Sequence, residues 1–309
     1  MRIAVMGAGG VGGYFGGRLA QAGSDVTFLV RERRAAQLRS DGLVVQTPDG
    51  EFRVPAKAVQ RHEISAPFDL VLLTCKAYDL DSAIDTIRPA VGPQTVVVPL
   101  LNGLAHLDRL DAELGTERVI GGSCGIAATL TPEGVVKQMS PFHWMRFGDR
   151  SGKSRTQVEA LAQAYARTPV DAAAVPDILQ VMWEKFVLLT TLAAGTCLMR
   201  GSVGEILATS DGEPILRELL DTCIGAARAA GHVPRAESLA QTESLLFARG
   251  SPFSASMLRD IERGGPTEAD HIVGDMLRRA RSAGLDARLL AAAYAHLQVY
   301  EGRRAAAAR

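Results

Sequence analysis

The chain opens MRIAVMGAGGVGGYFGGRLAQAG, with glycines at positions 7, 9, 10, 12, 13, 16 and 17 directly behind the short apolar run Arg2 to Met6. Glycine inside a helix costs about 1 kcal/mol against alanine. A run this dense means that something approaches the backbone too closely for side chains. Gly7-Ala8-Gly9-Gly10-Val11-Gly12 fits G-x-G-x-x-G, and it follows a strand and opens a helix, the context in which that pattern has a mechanism. Gly7 makes the tight turn, Gly9 lets backbone amides approach a pyrophosphate, and Gly12 lets helix and strand pack closely. The positive end of the helix then faces the phosphates. The expected ligand is a dinucleotide, held by Gly7, Gly9, Gly10, Val11 and Gly12.

The second strand, Asp25 to Val30, continues as Arg31-Glu32-Arg33-Arg34. NAD-binding units carry an acidic residue at the end of this strand, on the ribose hydroxyls. Arg31 occupies that place, and a guanidinium suits a 2′-phosphate. The expected cofactor is NADP, as NADPH. In the alternative, the arginines are a solvated helix start and Glu32 accepts from the ribose.

The first half continues to alternate. A helix over Arg33 to Arg39, a hairpin over 43–59 about Pro48-Asp49-Gly50, a buried strand over 68–75, a helix from Leu80 to Pro89 and a buried strand over 95–103 imply crossovers and a parallel sheet. VIGGSCGIAATL, GVVKQMS and HWMRFGD predict further, antiparallel strands to about residue 149. From about Pro176 the pattern is helical, with Ile272, Val273, Met276, Leu277 and Ala280 at helical spacing in a segment ending at Gly284. The fold class is α/β: a Rossmann-type doubly wound sheet over 1–174, then an all-helical domain over 175–309.

Composition narrows the function. Lys plus Arg and Asp plus Glu number 34 each, so no overall field favours nucleic acid or an anionic membrane. Cys75, Cys124, Cys197 and Cys223 lack the spacing of a disulfide frame or zinc site and read as reduced thiols of a cytoplasmic protein. The six histidines do not cluster, so no metal is expected; His106 lies near the Asn102 turn. No secretory signal is read, and the apolar run 186–199 is too short to span a bilayer and is expected to be a buried helix.

Chemistry should sit past the carboxyl ends of parallel strands, where such sheets bind ligands. Lys76 and Asn102-Gly103 stand there. Lys185 lies on the first long helix of the second half, where a half-buried ammonium would make a general acid, and Glu268 could orient it. Each has a plainer reading: Lys76 a loop residue, Asn102 a turn former, Lys185 a snorkelling side chain, Glu268 a residue near a helix start.

Together these segments resemble the ketopantoate reductase (2-dehydropantoate 2-reductase) family over nearly the whole chain. The resemblance is carried by GAGGVGGYFGGRLAQAG, Arg31, LLTCKAYDLDSAI, LLNGL, GGSCGIAATLTPEGVV, the Trp183-x-Lys185 pair and SMLRDIERGGPTEADHIVG. It implies a Rossmann domain, a helical domain like that of 6-phosphogluconate dehydrogenases, NADPH as reductant and a place in pantothenate biosynthesis. It further implies Lys185 as general acid with Glu268 its partner, Asn102 and Ser256 as substrate contacts, Asn102 also on the nicotinamide side, and Lys76 in the cleft. A homodimer through the helical domain is an analogy with the family. Three positions depart from the family: Leu189, Val203 and Phe253 stand where asparagines are usual. Apolar groups cannot satisfy a hydroxyl or carboxylate, so discrimination in favour of polar substrates weakens. The expected activity is reduction of a 2-oxo acid, ketopantoate or a relative with a more apolar tail, to the 2-hydroxy acid. Two other readings are a dehydrogenase running oxidatively and a non-catalytic NADP(H)-binding regulator; the latter would be free to lose Lys185 and Glu268.

Overall fold

The structure, a computed structural model, describes residues 1–307. It divides into two compact units: Met1–Leu101 with His106–Ile178, and Asn102–Ala105 with the chain from Leu179 on.

The elements of the first unit run β1 (Arg2–Met6), α1 (Gly10–Gln21), β2 (Asp25–Leu29), α2 (Glu32–Asp41), β3 (Leu43–Thr47), β4 (Gly50–Val54), β5 (Lys57–Val59), β6 (Leu70–Leu73), α3 (Leu80–Ile87), β7 (Val96–Pro99), α4 (Ala105–Leu114), β8 (Gly121–Gly125), β9 (Ala128–Leu130), β10 (Val136–Gln138), β11 (Trp144–Gly148), α5 (Arg155–Tyr165) and β12 (Asp171–Ala174). Five strands make a wholly parallel sheet in the order β5-β2-β1-β6-β7. Every residue of β6 (LVLL) and β7 (VVVP) is buried, as strands covered on both faces must be. The strand order reverses between β1 and β6, which is the switch point at which open α/β sheets bind ligands.

Two smaller sheets follow, β4-β3-β10-β9 and β12-β11-β8. Pairs β9–β10 and β8–β11 are antiparallel, as the sequence suggests. Pair β3–β10 is parallel, against that expectation, and β12, which the sequence pattern does not signal, pairs parallel with β11. The reason is topological: β10 docks on a strand from far earlier in the chain, and α5 provides the crossover between β11 and β12. The segment 43–59 is a hairpin only through β4; β5 leaves it to join the main sheet beside β2.

Helix α1 explains much of the glycine density. A Cβ on Gly16 would stand 2.9 Å from Val5 Cγ2 of the main sheet, and one on Gly13 or Gly17 would stand 2.5 Å from Val136 Cγ2 or 2.9 Å from Leu43 Cδ2 of the second sheet. The helix is thin enough to lie between two sheets, with Tyr14, Phe15 and Leu19 fully buried around it.

The second unit is helical: α6 (Ile178–Met199), α7 (Val203–Leu207), α8 (Gly212–Ala229), α9 (Ala236–Leu246), α10 (Ser256–Glu262), a π-turn (Asp270–Gly274), α11 (Asp275–Ser282) and α12 (Arg288–Ala307). Helix α6 has 22 residues, longer than the apolar run suggested, and by length and composition could cross a membrane. Yet 72% of its apolar window is buried in the fold, so it reads as a core helix. Thr191 and Thr196 return their hydroxyls to Val187 O and Leu192 O, which satisfies them inside the core. Cys197 and Cys223 are buried free thiols, and burial raises both to about 12.

Candidate active site

The glycine turn is built by the end of β1. Gly7 has φ +97°, a left-handed conformation that favours glycine, and its amide donates to Leu29 O at 3.0 Å. Thr74, just past β6, donates both its amide (3.2 Å) and its hydroxyl (2.8 Å) to Met6 O. A Cβ on Gly12 would stand 2.2 Å from that hydroxyl oxygen and 2.3 Å from Gly7 O, so only glycine fits there. Gly10 is closed to a side chain by Ala128 O at 2.6 Å.

Gly9 differs. It caps α1 in extended conformation with no side-chain cap, the first turn of the helix holds no acidic residue, and a Cβ on it would meet no protein atom within 4 Å. This helix end therefore presents backbone amides without a side chain over them or a carboxylate to oppose an anion. The residues fit a dinucleotide pyrophosphate.

The three arginines behind β2 have different fates. Arg31 caps α2 and is 83% exposed, with Nη2 3.2 Å from Asp79 Oδ1. Arg33 is exposed. Arg34 is half-buried and donates to Ala8 O (3.1 Å), Gly134 O (2.8 Å) and Gln37 Oε1 (2.8 Å). It clamps the glycine turn to a later loop through Nη1 and Nη2. Lys76 is half-buried in extended conformation before a short 3₁₀ turn at Ala77–Asp79.

In the second unit, Lys185 of α6 donates from Nζ to Asn102 Oδ1 at 3.0 Å. Two candidates 83 residues apart are thereby joined, because Asn102–Ala105 packs with the helical unit. Glu268 is 6% exposed and precedes the π-turn, where the sequence pattern suggested an unbroken helix. Ser256 is exposed at the first position of α10, and the structure brings no other candidate to it in a described bond. Leu189 and Phe253 are half-buried. Val203 is fully buried, its amide donating to Phe253 O at 2.9 Å, so its side chain belongs to the core of the unit. His106 is likewise fully buried, in α4. The sequence gives no local signal for Thr74 or Arg34, whose roles depend on pairings across long stretches of chain.

A Rossmann sheet with a fitted pyrophosphate turn, and a lysine braced by an asparagine in a helical unit, define a nicotinamide-dependent oxidoreductase acting on CH–OH groups. Residues 3–152 match the family described as ketopantoate reductase PanE/ApbA, residues 177–301 match its C-terminal counterpart, and the chain belongs to the ketopantoate reductase family. It is 35% identical over 98% of its length to the whole of the uncharacterized oxidoreductase YkpB of Bacillus subtilis. It is 29% identical over 91% of its length to the 2-dehydropantoate 2-reductase of Halobacterium salinarum, covering 92% of that protein. In fold it is similar to the PanE/ApbA family ketopantoate reductase of Ralstonia eutropha, with TM-score 0.88, 24% identity, and coverage of 98% of this chain and 99% of that one.

Proposed function

We propose that the protein reduces a 2-oxo acid to the 2-hydroxy acid with NADPH, ketopantoate to pantoate being the first candidate, in pantothenate biosynthesis. The observation that carries this reading is the 3.0 Å bond between Lys185 Nζ and Asn102 Oδ1. An ammonium offers three donors, so a bond to Asn102 orients it without exhausting it. Lys185 then donates a proton to the substrate oxo oxygen as negative charge develops there. Asn102 holds Lys185, and Glu268 is assigned as the partner of Lys185 by resemblance to the family. NADPH, when bound, supplies the hydride. The amides at Gly9 and the start of α1 take its pyrophosphate, Arg31 its 2′-phosphate in exchange for Asp79, and Lys76 stands at the edge of its site. Ser256, exposed at the start of α10, is assigned to the substrate carboxylate by resemblance to the family.

A second reading has a specific basis: Leu189 and Phe253 are half-buried apolar residues where the family carries asparagines, which favours a 2-oxo acid with a more apolar tail. The test is NADPH oxidation with ketopantoate, 2-ketoisovalerate and bulkier aromatic homologues, with Lys185→Ala in parallel. Ketopantoate leading the panel supports the first reading, and an apolar 2-oxo acid the second. Loss of Lys185 should lower kcat by about 10²- to 10⁴-fold. Retained turnover in that variant removes lysine from the chemistry.

A further inference from the structure

His271 lies in the π-turn Asp270–Gly274, half-buried, three residues beyond Glu268. Gly103 faces it with φ +80°. A Cβ there would stand 3.0 Å from the His271 carbonyl oxygen, 3.1 Å from its Cδ2 and 3.4 Å from its Nε2. The imidazole also makes a hydrogen bond with the Asn102 backbone, and that bond favours the protonated ring, the sense of donation to an acceptor. Asn102 in turn accepts from Lys185. Three segments are thus linked in series: the π-turn to the backbone of the Asn102–Gly103 turn, and the Asn102 side chain to the ammonium. Only a staggered χ1 and a broad, two-fold χ2 separate the Asn102 main chain from Oδ1, so moving that main chain moves the acceptor off the ammonium. π-turns of this kind are frequent at functional sites.

We propose that His271 is a positioning residue of the reductase: its imidazole pins the Asn102–Gly103 turn, so that Asn102 holds the Lys185 ammonium where the proton is delivered. This rests on the proposed role of Lys185. The electrostatics suit it. Burial holds the ring towards its neutral form, against Glu268, Asp275, the bond with Asn102 and Asp270, which all favour the charged one. A neutral imidazole keeps one N–H to donate and adds no second cation to the cluster.

The test is kcat and KM for the 2-oxo acid with the best turnover, in wild type, His271→Ala, His271→Gln, His271→Leu and Lys185→Ala, with NADPH affinity measured by fluorescence. His271→Ala should lower kcat by about 10- to 100-fold, the scale of a catalytic group misplaced by an ångström, with NADPH affinity unchanged. His271→Gln, which returns an N–H donor, should recover most of that loss, and His271→Leu, which fills the space without a donor, should not; a purely space-filling role would let both recover. If His271→Ala keeps kcat within about twofold while Lys185→Ala is inactive, the proposal is overturned and the reading of Lys185 stands. If Lys185→Ala itself turns over normally, that reading falls and the proposal with it. Should His271→Ala fail to fold, the His271→Leu and His271→Gln pair decides: the leucine variant is expected to lose kcat and the glutamine variant to keep it, and equal kcat in the two overturns the proposal.

Discussion

Two glycines of the same turn should respond in opposite ways to one added methyl group. In Gly12→Ala the new Cβ would lie 2.2 Å from Thr74 Oγ1 and 2.3 Å from Gly7 O, against an ordinary carbon contact of about 3.5 Å. Thr74 can rotate away only by giving up its 2.8 Å bond to Met6 O, and Gly7 O is backbone. Overpacking costs about 1–3 kcal/mol and the lost hydrogen bond about 1 more. For a unit of this size that is a fall in Tm of roughly 5–15 °C. In Gly9→Ala the Cβ meets nothing within 4 Å, and the residue already has φ −85°. Its cost is below about 1 kcal/mol. The methyl group does occupy the approach to the amides of α1. Losing one charge-assisted hydrogen bond to phosphate, about 1.5–3 kcal/mol, weakens NADPH binding about 10- to 100-fold. Thermal scans and NADPH fluorescence titrations on both variants separate the effects. Gly9→Ala binding NADPH as tightly as wild type would refute the assignment of Gly9 to phosphate, and Gly12→Ala melting like wild type would refute the packing argument.

Other substitutions divide along similar lines. Arg31→Ala should weaken NADPH about 10-fold or more while leaving NADH nearly unchanged, whereas Arg34→Ala should lower Tm because it frees Ala8 O and Gly134 O; unchanged affinity for both cofactors in Arg31→Ala would point to the Glu32 alternative. Leu189→Asn with Phe253→Asn should move kcat/KM towards ketopantoate over an apolar 2-oxo acid by about 10-fold or more, and an unchanged ratio would take both residues out of specificity. Glu184 is 6% exposed and paired with Arg235 Nε at 2.8 Å and its amide at 2.9 Å. Burial pushes its carboxyl up, but the bonds to Arg235 and Gln180 outweigh this and hold it below the ordinary range. Its contribution is therefore full above that range and lost as pH falls through the lowered value. Arg235→Ala should cost about 1–3 kcal/mol at neutral pH, with the gap to wild type closing on acidification. A gap independent of pH would deny the ion pair that role.

The parallel sheet and its glycine turn are legible in the sequence because their signals are local: a buried apolar run, a turn, a helix start. Long-range pairing leaves no such mark. Nothing within β10 says that it docks parallel on β3, and nothing within Arg34 distinguishes it from Arg31 until Ala8 and Gly134 are placed beside it. The glycines of α1 show both sides of this. Gly7, Gly9 and Gly12 are readable as a phosphate turn, while Gly13, Gly16 and Gly17 need the two sheets to be explained. The π-turn is hidden by the apolar spacing from Ile272 to Ala280, which suits an ordinary helix equally well. Val203 reads from sequence as a lost polar substrate contact, but the structure makes it a core residue, so apolar character there carries no information about the substrate.

The grouping of Asn102–Ala105 with the helical unit has a consequence for how such a protein can be cut and recombined. The acceptor for the Lys185 ammonium is encoded in the middle of the dinucleotide-binding half, as the residues that follow β7. A fragment starting at residue 179 would carry the lysine without its acceptor. A chimera joining this helical half to a foreign Rossmann half would import whatever tetrapeptide the donor places at that point. A cut made by chain order therefore separates two groups that the fold holds within one unit.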